Sequence, residues 1–378
     1  MTLHICIFTT AHPLDDVRVK SKFVDSFLAA GARVTWIGPE RTLFHDGDPR
    51  DPRVSYRLIP SRGGWIERIT LFKKLRHTLQ GIGDADWVYT PDPDAAALAL
   101  SARTPARVLF DIHEEFHKGQ LVNSLPGPLR HVAQQAVQAV IAGIAQRTNV
   151  TVAVNQAVLE AYRAPENRSM IAFNTPPAWF NRPPMTSRTC DSAPLTLFHG
   201  KASSNNGTRE ILAALKLLRE RGRTARVIMI PRTGIGEPYD PTFDDAVITA
   251  GVQDFLQLGP GLPHREMPNL MSQAQVGLIS YDRKLGPGSL PNRFFEYMAL
   301  GIPVIVPNYS PLMRRIVEQE AIGYTADFED PSSIATAIET AMGRTAELEY
   351  MGSNARRAFE EKYAWNPIFD QLLNLLGT

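Results

Sequence analysis

The order of strands and helices constrains the fold of this chain more than any other feature. In both halves an apolar strand is followed by a helix and a second apolar strand: residues 3–10, 17–30 and 31–38 in the first half, and residues 195–200, 208–221 and 226–231 in the second. Strands that alternate with helices form parallel sheets covered by helices on both faces. The sequence therefore predicts an α/β protein with two Rossmann-like, doubly wound parallel sheets.

The length of the chain agrees with two domains, because 378 residues are long for a single hydrophobic core. A Pro-rich polar stretch without periodicity separates the halves and is predicted to be an interdomain linker. The predicted N-terminal domain covers residues 1–178, the linker 179–194 and the C-terminal domain 195–362. Residues 363–378 have the pattern of a final helix.

Composition excludes several classes of function. A formal net charge of +1 argues against broad electrostatic binding to nucleic acid. Cys6 and Cys190 are too far apart in sequence for a disulfide framework or a metal-binding spacing. We see no secretion signal and no apolar run long enough to cross a membrane, so we expect a cytoplasmic protein, and its Ala-rich and Arg-rich composition favours a bacterial source.

A loop rich in glycine precedes the most informative helix. Residues 286–289 run into Pro291, which suits a helix start, and the helix is predicted to end near Leu300 with Gly301 as its stop. A buried strand over residues 302–306 follows. Unpaired amides that open onto a helix N-terminus favour an anion, so we expect phosphate to bind here.

Two charged residues of that helix share one face. Arg293 and Glu296 are three residues apart, which places them on one side of the helix. The cation would lie near the phosphates, and the carboxylate would lie one helical turn further along the helix. This arrangement suits a ligand that carries a diol next to its phosphates, such as a nucleotide sugar. The alternative is an ordinary amphipathic helix with an exposed ion pair.

The stretch Pro291-Asn-Arg-Phe-Phe-Glu-Tyr-Met-Ala-Leu-Gly-Ile-Pro-Val304 resembles the signature of retaining glycosyltransferases of family 4, the glycosyl transferases group 1, which have the two-domain GT-B fold with a cleft between the domains. The resemblance implies that Glu296 binds the ribose hydroxyls and that Arg293 faces the donor diphosphate. The backbone of Gly288, Ser289 and Leu290 would complete the phosphate site. Because protein groups would neutralise the diphosphate, the resemblance implies neither a metal nor a cofactor.

The resemblance extends to the first half. Asp111-Ile-His-Glu-Glu115 follows an apolar strand, and the family match implies that His113 contacts the transferred sugar near the reacting centre as a catalytic residue. A capped structural histidine is the alternative. The segment from His12 to Arg18 matches the opening loop of one subgroup, so Arg18 is a candidate for the donor phosphates or the acceptor. Otherwise Arg18 pairs with a neighbouring aspartate at the helix start.

Further positions in the second half match the family less closely. Lys201 and Asn206 occupy the places of two diphosphate-binding cations, of which the second is lost here. The turn containing Leu258, Gly259 and Leu262 resembles the one whose backbone receives the nucleobase. Most relatives have a glutamate where this chain has Gly288. The resemblance also implies that the tail helix crosses back to the N-terminal domain.

Several functions remain open at this stage. The first is a retaining glycosyltransferase that uses a UDP or GDP sugar, and the others are a sugar-nucleotide 2-epimerase and a non-catalytic nucleotide-sugar binder. The acceptor is expected to be a soluble small molecule in specialised-metabolite biosynthesis, with a glycan of cell-surface polysaccharide assembly as the alternative. The one basic amphipathic helix, residues 65–79, is enough for a weak peripheral membrane contact and not for stable docking.

Overall fold

A computed structural model describes residues 2–40, 50–60, 65–180, 194–202, 207–231, 241–284 and 286–377, without the side chains of residues 65–67, 120, 121, 201 and 241. The chain divides into two compact units. Unit 1 comprises Met1–Pro177 together with Trp365–Thr378, and unit 2 comprises Ala178–Ala364. Unit 2 thus begins before the predicted domain boundary at residue 195, and most of the predicted linker, residues 181–193, lies outside the described residues.

Each unit is built on one parallel sheet. The strands of unit 1 are β1 (His4–Phe8), β2 (Arg33–Pro39), β3 (Val54–Ile59), β4 (Trp87–Thr90), β5 (Arg107–Ile112), β6 (Val150–Ala153) and β7 (Ser169–Ile171), in the order β3-β2-β1-β4-β5-β6-β7. Those of unit 2 are β8 (Leu195–Lys201), β9 (Ala225–Ile230), β10 (Leu256–Leu258), β11 (Val276–Leu278), β12 (Val304–Pro307) and β13 (Gly323–Ala326), in the order β10-β9-β8-β11-β12-β13. The predicted fold class is confirmed.

Among the described residues, helices connect most successive strands, and three more helices follow the final strand. The helices are α1 (Asp25–Ala29), α2 (Trp65–Gln80), α3 (Pro93–Ala102), α4 (Gln120–Asn123), α5 (Gly127–Ala145), α6 (Gln156–Ala161), α7 (Thr208–Glu220), α8 (Pro241–Ala250), α9 (Met267–Met271), α10 (Asn292–Ala299), α11 (Pro311–Glu320), α12 (Pro331–Met342), α13 (Thr345–Ala358) and α14 (Trp365–Leu376). Among the helices of the described residues, none combines the length and the apolar character needed to cross a membrane.

Both faces of the unit 1 sheet are buried. Along β1, Ile5 and Ile7 pack into one apolar cluster, while Cys6 and Phe8 pack into another. Alternate side chains of a strand point to opposite faces, so two clusters mean helices on both sides of the sheet. This arrangement leaves the carboxyl ends of the strands as the edge at which polar side chains can gather.

Helix α10 is anchored to the unit 2 sheet by Tyr297. Its ring is fully buried, and its hydroxyl donates a hydrogen bond of 2.7 Å to the carbonyl of Phe198 in the middle of β8. Gly277 in β11 makes room, because a Cβ there would lie 2.6 Å from the ring. Gly301 has a φ of +62°, which is the left-handed conformation expected of a helix stop. The predicted helix is confirmed, with Pro291 at its N-cap rather than inside it.

Two local features of unit 1 were not predicted. The first helix opens with π-helical turns over Val17–Val24 and becomes α-helical only in α1. Asp92 lies at the N-cap of α3 but makes no capping hydrogen bond, and its carboxylate instead accepts hydrogen bonds from the Thr9 hydroxyl and the Thr10 amide after β1. The neighbouring strand therefore competes successfully with the helix for this carboxylate.

Candidate functional site

Arg293 lies at the carboxyl end of β8. Its Nη1 is 3.5 Å from the carbonyl oxygen of His199, and its guanidinium carbon is 5.5 Å from the centre of the Phe198 ring. Gly200, with a φ of +80°, makes this position possible, since a Cβ on Gly200 would lie 1.2 Å from Arg293 Nη1. A cation is thereby held against the backbone at the strand edge, with its side chain 30% exposed.

Glu296 lies one turn deeper on the same face of α10, as the sequence predicted. Its Oε2 is 4.0 Å from Arg293 Nε, and its side chain is only 6% exposed. The other oxygen, Oε1, is 2.7 Å from Nε2 of His264. The helix therefore presents a cation and a buried carboxylate side by side.

His264 was missed by the sequence reasoning. It lies in the loop between β10 and α9, 32 residues before its partner Glu296. Its ring contacts Trp179 and Phe180, with centroid separations of 5.2 and 5.5 Å. Nothing in the spacing of these residues along the sequence marks them as neighbours.

The loop before α10 uses part of its own backbone hydrogen-bonding capacity. The amide of Gly286 donates to the carbonyl of Asp282, and the amide of Ser289 donates to the carbonyl of Gly286, at 2.8 and 3.2 Å. The structure therefore differs from the expectation that these amides are available to a ligand. Gly288 and Leu290 lie on the same loop, which leads directly to Arg293.

The other candidate donor-binding residues of unit 2 are only partly covered by the described residues. Lys201 ends β8 beside Gly200, although its side chain is outside the described residues, and Asn206 lies outside them altogether. The amide of Gly259 extends the pairing of β10 by donating to the carbonyl of Met229 at 2.8 Å. Leu258 is 49% exposed and Leu262 is partly buried, both in the segment that leads to His264.

In unit 1, Arg18 binds Asp111 rather than an aspartate of its own loop. The guanidinium donates two hydrogen bonds to the carboxylate, at 2.6 and 2.7 Å, and a third to the carbonyl of Ala172. Tyr89 donates to the same carboxylate at 2.7 Å. Burial opposes the charged form of Asp111, but the Arg18 guanidinium outweighs it and lowers the pKa. The sequence had made Arg18 a candidate for the donor phosphates or the acceptor, or a partner of an aspartate in its own loop, and it did not reveal this pair.

A second histidine lies beside His113. The ring of His12 is 5.0 Å from that of His113, centre to centre, and its nitrogens lie 3.2 Å from Asp16 and 3.4 Å from Asp92. Burial lowers the pKa of His12, but the hydrogen bond that its ring donates to Asp16 and the charges of Asp92 and Asp16 outweigh burial and raise it. Neither His12 nor Asp92 was predicted as a site residue, although His12 follows the first strand that the sequence predicts.

His113 has the opposite electrostatic character. Burial lowers its pKa to about 4, so its imidazole is neutral near pH 7. Its Nδ1 is buried and has no hydrogen-bond partner among the described residues. At the carboxyl ends of the unit 1 strands, a neutral imidazole therefore lies next to an imidazole whose surroundings favour the charged form. Within the described ranges, no group of His, Cys, Asp or Glu side chains is arranged to hold a metal ion.

Comparison with known proteins gives the unit 2 site a family. The model of the family "Glycosyl transferases group 1" matches residues 187–358. An uncharacterized glycosyltransferase of Methanocaldococcus jannaschii is 26% identical over 49% of this chain and 45% of its own length. The chain spans about half the length of the first two curated relatives it matches.

Solved structures resemble the whole chain. A sucrose-phosphate synthase of Thermosynechococcus elongatus has a TM-score of 0.75 at 15% identity, covering 99% of this chain and 98% of that one. The Anabaena protein HepE, solved with UDP and glucose, has a TM-score of 0.72 at 14% identity and full coverage of both chains. Residues 187–358 are a Glycosyl transferases group 1 domain, and the chain has the two-domain fold of the GT-B glycosyltransferases.

Proposed function

We propose that this protein is a retaining glycosyltransferase that transfers a sugar from a nucleoside diphosphate sugar, with UDP or GDP as the nucleoside diphosphate, to an acceptor hydroxyl. The observation that carries the proposal is the pair on α10, with Arg293 held at the strand edge by Gly200 and the buried Glu296 beside it. In a nucleotide sugar the ribose diol follows the diphosphate, so a cation with a carboxylate one helical turn away matches the order of these two groups. HepE, which has the same fold, was solved with UDP and glucose.

The chemistry requires a cation where negative charge develops. The bond between the anomeric carbon and the diphosphate breaks, a bond to the acceptor oxygen forms on the same face of the sugar, and the acceptor proton passes to the departing phosphate. Arg293, together with Lys201, would stabilise the charge on the leaving diphosphate, so the proposed reaction is independent of a metal. Glu296 would accept hydrogen bonds from the ribose hydroxyls.

We also propose that His113 contacts the transferred sugar. An imidazole that is neutral near pH 7 has one nitrogen that donates and one that accepts, as sugar hydroxyls require. Its buried Nδ1, which no described residue pairs, favours a binding role over that of a fully bonded structural residue.

We propose, as the sequence suggested, that the acceptor is a soluble small molecule. On α2, Arg68 is 3.2 Å from Asp94 and Arg76 donates to the carbonyl of Ser101, so two of its basic side chains are engaged within unit 1. Lys73 and Lys74 are exposed. Two lysines supply about 2 kcal/mol of attraction to an anionic surface, which is too little for stable docking.

The test is release of nucleoside diphosphate from UDP-glucose and from GDP-mannose, with and without candidate acceptors. We expect turnover by the wild-type protein and a fall in kcat/KM of about 10²–10³-fold for Arg293→Gln, the loss typical of one charge-stabilising donor. Arg226→Gln is the matched control, because Arg226 is an exposed arginine of the same unit. Absence of hydrolysis and transfer with every donor would contradict the proposal, and conversion of the donor to an epimer would replace it.

A further inference from the structure

We propose that His264 is a positioning residue for the nucleoside part of the donor. It would hold the carboxylate of Glu296 in the orientation in which that carboxylate binds the ribose hydroxyls. This inference rests on the proposed function, and it adds a residue that the α10 motif does not contain.

The contact between the two side chains fixes the direction of the hydrogen bond. His264 Nε2 is 2.7 Å from Glu296 Oε1. An ionised carboxylate only accepts hydrogen bonds, so Nε2 carries the proton and donates. The second oxygen, Oε2, faces Arg293 Nε at 4.0 Å. A hydrogen bond on one side and a cation on the other therefore orient the carboxylate before any ligand arrives.

Glu296 needs such support because it is buried. A carboxylate that is only 6% exposed loses most of its hydration, and it stays charged only if donors replace the lost water. Without His264, the neighbouring cation is Arg293, which the proposed function assigns to the diphosphate. A carboxylate drawn toward Arg293 would no longer face the ribose hydroxyls.

His264 is itself held by aromatic rings. Trp179 meets it edge to face at 5.2 Å, and Phe180, which is fully buried, lies at 5.5 Å. The guanidinium of Arg265 lies over the Trp179 ring at 5.1 Å. These ring contacts restrict the imidazole, so it presents Nε2 to Glu296 at little further entropic cost. The first residues of unit 2 thereby support its candidate ribose site.

The alternative is that His264 has only a structural role. Ligands with and without the ribose hydroxyls distinguish a structural role from a positioning role. The experiment measures calorimetric affinities for UDP and GDP and then, for whichever binds the wild type more tightly, for its 2′,3′-dideoxy form. We expect His264→Ala to weaken binding of the nucleoside diphosphate about tenfold, the loss of one hydrogen bond to a charged group, and to leave the dideoxy compound unaffected. His264→Gln, whose amide can still donate, should retain most of the affinity.

A double-mutant comparison completes the test. In a Glu296→Ala background, His264→Ala should cause no further loss, because the residue it positions is absent. His131→Ala, at an exposed histidine of unit 1, should change nothing. Equal losses for both ligands, or additive losses in the double variant, would overturn the inference while leaving the proposed function intact. A wild-type protein that binds neither UDP nor GDP would overturn both.

Discussion

At the scale of single residues, Gly200 decides where the cation of unit 2 lies. Only glycine leaves space for the Arg293 guanidinium against the end of β8, and only glycine adopts the φ of +80° without strain. Arg293 is recognisable in the sequence from its motif. The glycine that positions it lies 93 residues earlier.

We expect Gly200→Ala to displace Arg293, because the added methyl would occupy the place of Nη1. Affinity for the nucleoside diphosphate should fall at least tenfold, as measured by calorimetry. Gly222→Ala is the control, since Gly222 has a φ of +68° with no atom near its missing Cβ. It carries the same backbone strain, so an equal loss of affinity in this variant would refute the steric explanation.

Arg18 and Asp111 form the buried ion pair of unit 1, with side chains 6% and 0% exposed. We expect Arg18→Met to lower the free energy of unfolding by about 3–5 kcal/mol, because it leaves a buried carboxylate without its cation. Urea denaturation of the variant measures this loss.

The pair of Arg53 and Asp51, in which the arginine is exposed, provides the comparison. Arg53→Met should cost less than about 1 kcal/mol, since the Arg53 side chain is 63% exposed. Replacing both members of the buried pair, as Arg18→Met with Asp111→Leu, should recover much of the loss. A double variant no more stable than Arg18→Met alone would show that the charge is not the cause.

At the scale of elements, the ends of β1, β4 and β5 create two histidines of opposite character. His12 is surrounded by carboxylates that follow β1 and β4, whereas His113 follows β5 and is dominated by burial. Environments that separate the pKa values of neighbouring groups are typical of functional sites.

This contrast predicts a pH dependence of stability. His113 has a pKa lowered from 6.5 to about 4, so between those values the unfolded chain binds a proton that the folded chain does not. Stability therefore falls as the pH falls through this window. We expect His113→Gln to become more stable relative to the wild type at pH 5 than at pH 7, as measured by urea denaturation.

His12 works in the opposite sense, because its raised pKa contributes stability that is present at low pH and lost as the pH rises through the folded-state pKa. Its contribution is common to the wild type and to His113→Gln. His131→Gln, at an exposed site, is the control for replacing a histidine. A wild-type-minus-variant difference that does not change with pH would contradict the assignment of a buried neutral imidazole.

At the scale of the whole molecule, unit 1 is assembled from two separate stretches of the chain. Trp365 of α14 donates a hydrogen bond of 2.7 Å to the hydroxyl of Ser26 and packs against Phe23 at 5.1 Å between ring centres. Phe369 packs against Phe27 at the same separation. The tail helix thus supplies part of the apolar core of unit 1.

We expect Trp365→Ala to destabilise unit 1 by about 3–5 kcal/mol, the usual cost of removing a buried tryptophan. Hydrogen exchange should show lost protection in peptides from β1 and β2 and unchanged protection in β8 and β9. Tyr350→Ala, at a tyrosine that is 66% exposed, is the control. Equal loss of protection in both sheets would show that the two units do not unfold independently.

The sequence by itself determined the alternation of strands and helices, the start and stop of α10, and the shared face of Arg293 and Glu296. These features depend on periodicity and on the conformational preferences of proline and glycine, which act over a few residues. They were sufficient to predict two parallel sheets and a candidate nucleotide site.

Only the tertiary structure decided the partners of the polar side chains. Arg18 and Asp111 are 93 residues apart, and His264 and Glu296 are 32 apart. Asp92 had a local partner available in α3, yet it binds Thr9 and Thr10 because β1 and β4 are neighbours in the sheet. A buried carboxylate takes the donors that the strand order brings within reach, and that order arises from packing of the whole sheet rather than from any short stretch of sequence.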